Sequence, residues 1–543
     1  MIEILRKPWL WLVVVVVVAV GLKIGLLLAD VVPFNADEAI VALMARHILQ
    51  GAMPIFFYGQ AYMGSLAAWF VAAGFALFGQ QVWVIRAVQV LLYVGVILTT
   101  VRIGQIGLRS LQAGLLAAGV LAVPTVNVTL YTTASLGGYG EALLIGNLLL
   151  LLAFSLERRI EAGNYSLRRL GAGWAGWGML AGLGLWANAL TLVYSVPAGL
   201  FMLWSWRKGV GLRRGWFVWP LVLAGFVVGA LPWWIFAMQN GVGTLLSELT
   251  GSAVAVEQAP WILRSFKHLF NFLLLGGTVI FGLRPPWSVD WLALPLLPLA
   301  LIAWALVFVL ALPALRRRTD HYAYVRTLAG VCLTLMAGFV FTSFGIDPSG
   351  RYFLPMAVPM ALAAGYALDQ IFRDSNWKQG AFILAVLVGF HFWGTLQAAN
   401  RYPPGVTTQF YEPSMVDHRS MGELSEFLKA NNEKRGYSNY WVAYPLAFQS
   451  REELIFVPRL PYHTDLRYTE RDDRYPPYGE WVEESERVAY ITTHNPQLNE
   501  RLRAGFTERG VRWQEKQIGD YYVFYGLSQV IRPQELGLGV NYP

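Results

Sequence analysis

The sequence predicts a polytopic α-helical membrane protein with a small soluble α/β domain at its C-terminal end. Three observations predict it. Hydrophobic residues make up 56% of the 543-residue chain and charged ones only 14%, with a mean hydropathy of +0.46, whereas soluble domains carry roughly 25% charged residues. Apolar runs long enough to cross a bilayer recur over the first 400 residues. Charge then returns abruptly: residues 401–543 hold 17 of the 42 basic and 20 of the 34 acidic side chains, leaving a basic membrane part and a slightly acidic tail.

The apolar runs lie near residues 8–28, 83–104, 112–131, 139–156, 170–187, 189–206, 216–238, 290–313, 327–344, 352–372 and 380–398, about eleven transmembrane helices. Arg6-Lys7 followed by Pro8–Leu28 imitates a secretory signal, but the run is too long and lacks a small-residue cleavage site, so it is expected to be an uncleaved first span. A twelfth apolar stretch, Ala61–Phe78, decides the orientation of everything after it. If it does not cross, the basic clusters Arg102/Arg109, Arg158-Arg159/Arg168-Arg169, Arg207-Lys208/Arg213-Arg214, Arg316-Arg317-Arg318/Arg326 and Arg373/Lys378 all fall on the side of Arg6-Lys7, as the positive-inside rule requires. This stretch is therefore expected to be an interfacial or re-entrant helix within a long first outer loop, 29–82. The same parity places loops 239–289 and 345–351 and the tail outside the cytoplasm. The expected location is the cell (inner) membrane, with a cytoplasmic N-terminus.

The domains expected are a transmembrane part, 1–400, and an extracytoplasmic domain, 401–543. The latter opens at Arg401-Tyr402-Pro403-Pro404, which cannot continue a helix. Its pattern predicts a helix (Met421–Asn431), a strand (Tyr440–Ala443), a short helix and a strand (Leu454–Val457). A charged Tyr/Pro/Asp loop (Pro461–Tyr478) follows, then a strand (Arg487–Thr493), a helix (Pro496–Ala504) and two strands (Val511–Lys516, Tyr521–Tyr525). Alternation of this kind favours an α/β domain.

Basic residues in short loops between apolar runs act as topology signals, so the net charge of +8 does not point to nucleic acid. The single cysteine, Cys332, lies inside an apolar run and offers neither a disulfide nor a Cys-based metal site.

Ionisable groups gather at the predicted outer face. The string Asn35-Ala36-Asp37-Glu38 opens a helix directly after the first span, with Arg46-His47 following at helical spacing and Tyr58-Gly59-Gln60 beyond. In the plainest reading Asp37 is an N-cap and Glu38 complements the helix dipole, yet carboxylates held against apolar surface at a membrane face are costly and usually functional. Arg351, in Ser349-Gly350-Arg351-Tyr352-Phe353-Leu354-Pro355, can present a forked cation to a phosphate or simply snorkel to the interface. Glu141, after Gly137-Gly138-Tyr139-Gly140, caps a span or lines a pocket. Arg86 is a further outer charge, and Lys23 is expected to snorkel. A transporter or lipid flippase would place its charges at mid-membrane and show duplicated halves; these spans are nearly free of charge and no repeat is visible.

The ordered set of Asp37-Glu38, the Leu43-Met44-Ala45-Arg46-His47 helix, Phe57-Tyr58-Gly59-Gln60-Ala61-Tyr62-Met63-Gly64, Arg86 and Arg351-Tyr352-Phe353-Leu354-Pro355 resembles the GT-C superfamily of membrane glycosyltransferases. The likeness is to its family 39 protein-mannosyltransferase-like enzymes, which use a polyprenyl-phosphate sugar, and covers about the first 370 residues. The resemblance implies an inverting hexosyl- or pentosyltransferase. Asp37 would be the catalytic base; Glu38, Glu141, Tyr58, Gln60 and Tyr139 would bind substrate; Arg351, Arg86 and Arg46 would hold the donor phosphate. Its partners would be the lipid-linked donor, a glycan, lipid or protein acceptor, and membrane lipids. No cofactor is required on this reading, and the chain has no Asp-x-Asp triplet of the kind that chelates a nucleotide-sugar through a metal. The tail departs from the best-known members; its tyrosines, Tyr440, Tyr444, Tyr462, Tyr468, Tyr475 and Tyr478, are candidates for stacking on acceptor sugars.

Overall fold

The computed structural model describes residues 7–163, 166–209, 218–249, 259–316, 321–374, 376–401 and 405–539. Arg6, Arg213-Arg214, Arg317-Arg318 and Tyr402-Pro403-Pro404, used above as topology or boundary signals, lie outside the described residues. The chain divides into two compact units. One comprises 1–29, 62–67 and 86–398; the other comprises 30–61, 68–85 and 399–543.

The first unit is helical. Seven helices among the described residues are long and apolar enough to cross a membrane: Pro8–Leu28, Val82–Gly107, Tyr139–Glu161, Ala189–Gly209, Leu294–Leu315, Tyr322–Phe341 and Trp377–Arg401. The pair Val218–Gly229 and Leu231–Asn240, bent by 67° at the break, passes the same test only when taken together, and Pro232 stands at the start of the second helix. The remaining three apolar stretches are helical but depart from a simple span. Residues 112–131 form two helices, Leu111–Ala122 and Val126–Tyr131, with Pro124 in the gap, where a continuing helix would lose a hydrogen bond and clash with the ring. Residues 170–187 lie within the helix Leu167–Ala187. Residues 352–372 begin as a 3-10 turn, Arg351–Met356, before the helix Ala357–Arg373.

Helix Leu167–Ala187 carries Gly178-x-x-x-Gly182 and helix Val218–Gly229 carries Gly225-x-x-x-Gly229. A Cβ at Gly178, Gly182, Gly225 or Gly229 would meet a carbonyl oxygen of the facing helix at 2.0–2.2 Å. Close backbone approach of this kind is how helices associate in lipid, where burial in apolar solvent supplies no drive.

Lys23 does not snorkel. It is 1% exposed, and its ammonium donates to the Thr132 carbonyl (2.9 Å) and to the Thr132 and Thr133 hydroxyls (2.6 and 3.0 Å), 4.4 Å from the Tyr93 ring centre. Every donor is used inside the protein, which removes the drive to reach the interface.

The second unit joins the tail to the first loop. In the first loop, β1 (Phe56–Phe57) lies in this unit, and β2 (Gln60–Gly64) begins in it. In the tail, β3 (Arg435–Tyr437), β4 (Ile455–Val457), β5 (Ala489–Thr493), β6 (Gln514–Ile518) and β7 (Tyr521–Tyr525) form a mixed sheet of order β4-β3-β5-β7-β6. The pairs β3–β4 and β3–β5 are parallel; β5–β7 and β6–β7 are antiparallel. Its core includes Leu424, Leu428, Val442, Leu446, Phe456 and Ile491.

The loop residues group with the tail because buried ties hold them there. The Val406 N–H donates to the Val31 carbonyl at 2.7 Å, Asn35 donates to Thr408 at 3.1 Å, and Phe34 and Phe75 both pack on Phe448. Residues 30–61 and 68–85 are thus grouped with the tail. Within this unit Leu66–Phe78 is a helix of 13 residues. At 1.5 Å per residue it reaches about 20 Å, short of a bilayer core of about 30 Å.

The expected strand at Tyr440–Ala443 is instead the start of helix Tyr440–Gln449. Asn439 caps it by accepting from the Trp441 N–H at 3.0 Å. Two elements went unpredicted, β3 and the helix Pro476–Glu483.

Candidate functional site

In the tail-containing unit, the helix Ala36–Leu49 is capped by Asn35, whose side chain accepts from the Glu38 N–H at 3.1 Å. Asp37 is thus not the cap. Its carboxylate, half-buried, instead accepts a short hydrogen bond from the Tyr440 hydroxyl. Burial, with Asp37 beside it, pushes the Tyr440 hydroxyl well above its ordinary range, so the phenol keeps its proton and donates. Glu38 is fully buried.

Arg474 lies over the Tyr440 ring, 5.5 Å from its centre. The end of the Gln60 amide lies 2.7 and 2.9 Å from the two terminal nitrogens of Arg474, and with its oxygen turned to them it accepts from both. Gly59, at φ +72°, leaves the room this needs: a Cβ there would stand 2.9 Å from Arg474 Cδ. Asp472 is 7% exposed. Burial pushes its carboxyl up to about 7; Arg474 opposes the rise and Asp37 adds to it.

A second cluster in the same unit is built on Glu452. His47 Nε2 contacts Glu452 Oε1 at 3.0 Å, and His47 Nδ1 contacts the Tyr58 hydroxyl at 2.9 Å. The Tyr478 hydroxyl donates to Glu452 Oε1 at 2.8 Å. Arg46 spreads its donors over Glu452 (3.3 Å), Gln80 (2.8 Å) and the Phe448 carbonyl (2.9 Å), and Tyr58 stacks on Tyr475 at 4.8 Å. Burial pushes the Glu452 carboxyl up, but the hydrogen bonds of His47 and Tyr478 and the charges of His47 and Arg46 outweigh it and hold it at about 2.

A carboxyl depressed on folding stabilises above its ordinary range and loses that contribution as pH falls through the folded value. Glu452→Gln is therefore expected to lower the melting temperature, a cost of about 3 kcal/mol for breaking a largely buried pair. It is also expected to flatten the loss of stability below about pH 5, measured by scanning calorimetry of the purified protein across pH.

In the helical unit, Gly138, at φ +80°, sets the N-terminus of helix Tyr139–Glu161. Glu141 in its first turn is 1% exposed. Its Oε1 lies 3.4 Å from Gln89 Nε2, and its Oε2 is buried with no hydrogen-bond partner among the described residues. An acceptor left in that state is expensive unless something else completes it.

Arg351 forms an ion pair with Asp347 at 2.6 Å, lies 5.0 Å from the Tyr352 ring centre and has Tyr62 and Tyr139 within electrostatic reach. Tyr62, Tyr139 and Tyr352 also line a cavity of about 190 Å³ whose other walls include Val193, Leu249, Leu335 and Phe339. The cavity is mainly apolar, and its tyrosines stand beside a charged arginine. Arg86 is half-buried in the first turns of helix Val82–Gly107.

The predicted site residues therefore sort into groups. Asp37 and Gln60 share the Tyr440–Arg474 arrangement; Arg46 and Tyr58 belong to the Glu452 cluster; Glu141, Tyr139 and Arg351 belong to the helical unit. Sequence reasoning missed Asp472, Arg474 and Gln89 and gave Tyr440 another task. The Asp472-Asp473-Arg474 string, inside an otherwise Tyr/Pro-rich loop, was the available signal.

No protein-family model and no curated protein matches the sequence. Solved structures match the fold over nearly its whole length. ArnT from Cupriavidus metallidurans bound to undecaprenyl phosphate is 12% identical with a TM-score of 0.62, over 95% of this chain and 98% of that one; its apo state is 14% identical with a TM-score of 0.61, over 95% and 97%. The apo oligosaccharyltransferase of Archaeoglobus fulgidus is 13% identical with a TM-score of 0.56, over 90% and 69%. The chain has the fold of these structures, the fold that the resemblance to the GT-C superfamily implied.

Proposed function

We propose that the protein is an inverting glycosyltransferase that moves a sugar from a polyprenyl-phosphate donor to an acceptor hydroxyl. The observation that carries this reading is the near full-length likeness to a GT-C structure holding undecaprenyl phosphate. In the reaction, Asp37 takes the proton of the acceptor hydroxyl as its oxygen bonds to the anomeric carbon. The bond from that carbon to the phosphate oxygen breaks, and its electron pair leaves with the polyprenyl phosphate. One displacement with no protein nucleophile inverts the anomeric centre.

Arg351 compensates the charge on the departing phosphate, a task that suits its bidentate fork, and the apolar cavity beside its tyrosines takes the isoprenoid chain. Arg86 is a second cation for the phosphate. Arg46 is assigned to structure, because its three donor nitrogens already have protein acceptors. Glu141, with an open acceptor oxygen, binds a sugar hydroxyl. The distribution of basic loops and the 13-residue length of Leu66–Phe78 support a site on the extracytoplasmic face.

The test supplies protein purified in detergent with a panel of radiolabelled polyprenyl-phosphate hexoses and pentoses and with glycan, lipid and peptide acceptors. Transfer with inverted configuration from at least one donor is expected. Absence of transfer from every lipid donor, with turnover of a nucleotide-sugar, would overturn the reading.

A further inference from the structure

We propose that Tyr440 and Arg474 of the C-terminal domain are the positioning residues of Asp37, so that the domain completes the catalytic base rather than serving only to read the acceptor. The inference rests on the reading of Asp37 as the base.

Four observations carry it. The Tyr440 hydroxyl donates to Asp37 Oδ1 from a side chain that is itself 3% exposed, so this contact is built into the unit and is not a chance surface encounter. Tyr440 is fixed from behind. Asn439 caps its helix and donates to Thr493 at 2.8 Å, while Trp441 and Tyr444 pack edge-on against the Tyr440 ring.

Arg474 covers that ring with its terminal nitrogens 2.7 and 2.9 Å from the end of the Gln60 amide, and its Nε is buried without a partner among the described residues. Finally, the loop bearing Arg474 is clamped by Tyr444, whose hydroxyl accepts from the Arg474 N–H at 2.6 Å and donates to the Asp472 carbonyl at 2.9 Å.

The charged and titratable groups facing Tyr440 are Asp37, Arg474 and Asp472; those facing Asp472 are Arg474, Asp37 and Tyr462. A phenol aimed at a carboxylate fixes its direction, and the guanidinium balances two acids that would otherwise repel. An aromatic platform for sugar stacking would leave its face open; Tyr440 has its face under Arg474 and its hydroxyl on Asp37.

The experiment compares full-length wild type, Tyr440→Phe, Arg474→Gln, Asp37→Asn and the Tyr440→Phe/Asp37→Asn double variant, on the donor and acceptor that the wild type turns over. Tyr440→Phe is expected to lower kcat roughly 10- to 100-fold, the worth of a hydrogen bond to a charged group, with donor and acceptor KM near wild type. Added to Asp37→Asn, the same change costs nothing further, because the group it positions is gone. Arg474→Gln lowers kcat in the same direction, again with donor and acceptor KM near wild type.

Wild-type kcat in Tyr440→Phe would overturn the inference and leave the base assignment intact, provided Asp37→Asn is inactive. Multiplicative losses in the double variant would overturn it equally, marking a packing role. Full activity in Asp37→Asn would remove the base reading and this inference together.

Discussion

Asp37→Asn is expected to lower turnover of a polyprenyl-phosphate sugar by about 10²- to 10⁴-fold, the range that a positioned general base supplies. The amide is nearly isosteric, and its oxygen still accepts from Tyr440, so the local packing survives while proton acceptance is lost. Donor affinity is expected to stay within a few-fold of wild type, because Asp37 is assigned to the acceptor's proton and not to the phosphate. Steady-state kinetics alongside a melting curve separate the two effects: a large fall in kcat at an unchanged melting temperature is the expected pattern. Undiminished turnover would end the assignment of Asp37.

Arg351→Ala is expected to lower kcat/KM by about 10²- to 10³-fold, comparable to removing one donor from a site that stabilises developing negative charge. Arg351 is already paired with Asp347 at 2.6 Å, so the substitution also orphans that carboxylate. Asp347→Asn in the Arg351→Ala background therefore serves as the control. If loss of the cation at the phosphate is the cause, the second change restores stability and leaves kcat/KM low. Arg351→Lys keeps the charge without the planar fork and should recover part of the activity. Competition by free polyprenyl phosphate gives the direct readout, weakened in Arg351→Ala and intermediate in Arg351→Lys.

The membrane architecture was largely legible because apolar run length is a strong local signal. It was less so where a run is interrupted, as at Pro124 and at the 67° bend before Leu231, since hydropathy does not register a break in direction. The tail's later elements, Ala489–Thr493, Pro496–Glu508 and Tyr521–Tyr525, fall close to their predicted places because strand alternation and an Asn-Pro helix start are local patterns.

Tyr440–Ala443 failed for a physical reason. Every residue from Tyr440 to Phe448 is buried, so no polar face marks the helical period, and Pro445 lies inside the helix, a position that proline disfavours. Strand Arg435–Tyr437 contains Gly436, which weakens any strand pattern. That glycine is needed because a Cβ would stand 2.0 Å from the Ala489 carbonyl oxygen of the neighbouring strand.

Candidate site residues divide in the same way. Asp37 and Arg351 could be singled out because charge beside long apolar runs is costly and so conspicuous. Tyr440, Asp472 and Arg474 could not be attached to Asp37, because a separation of about 400 residues leaves no local trace. The Val31–Val406 and Arg46–Phe448 ties that gather the first loop with the tail are equally invisible in a linear reading. Lys23 misled in the opposite sense: a lysine in a first span reads as interfacial, and only the folded chain supplies the Thr132 and Thr133 acceptors that keep it buried.

The most direct measurement of the central claim is the fate of the lipid carrier in a single turnover, followed by mass spectrometry of the extracted lipids with the wild-type protein and with Asp37→Asn. One free polyprenyl monophosphate released per sugar transferred, with release abolished in Asp37→Asn, is the result predicted. Sugar transfer without release of the carrier, or equal release from both proteins, would contradict it.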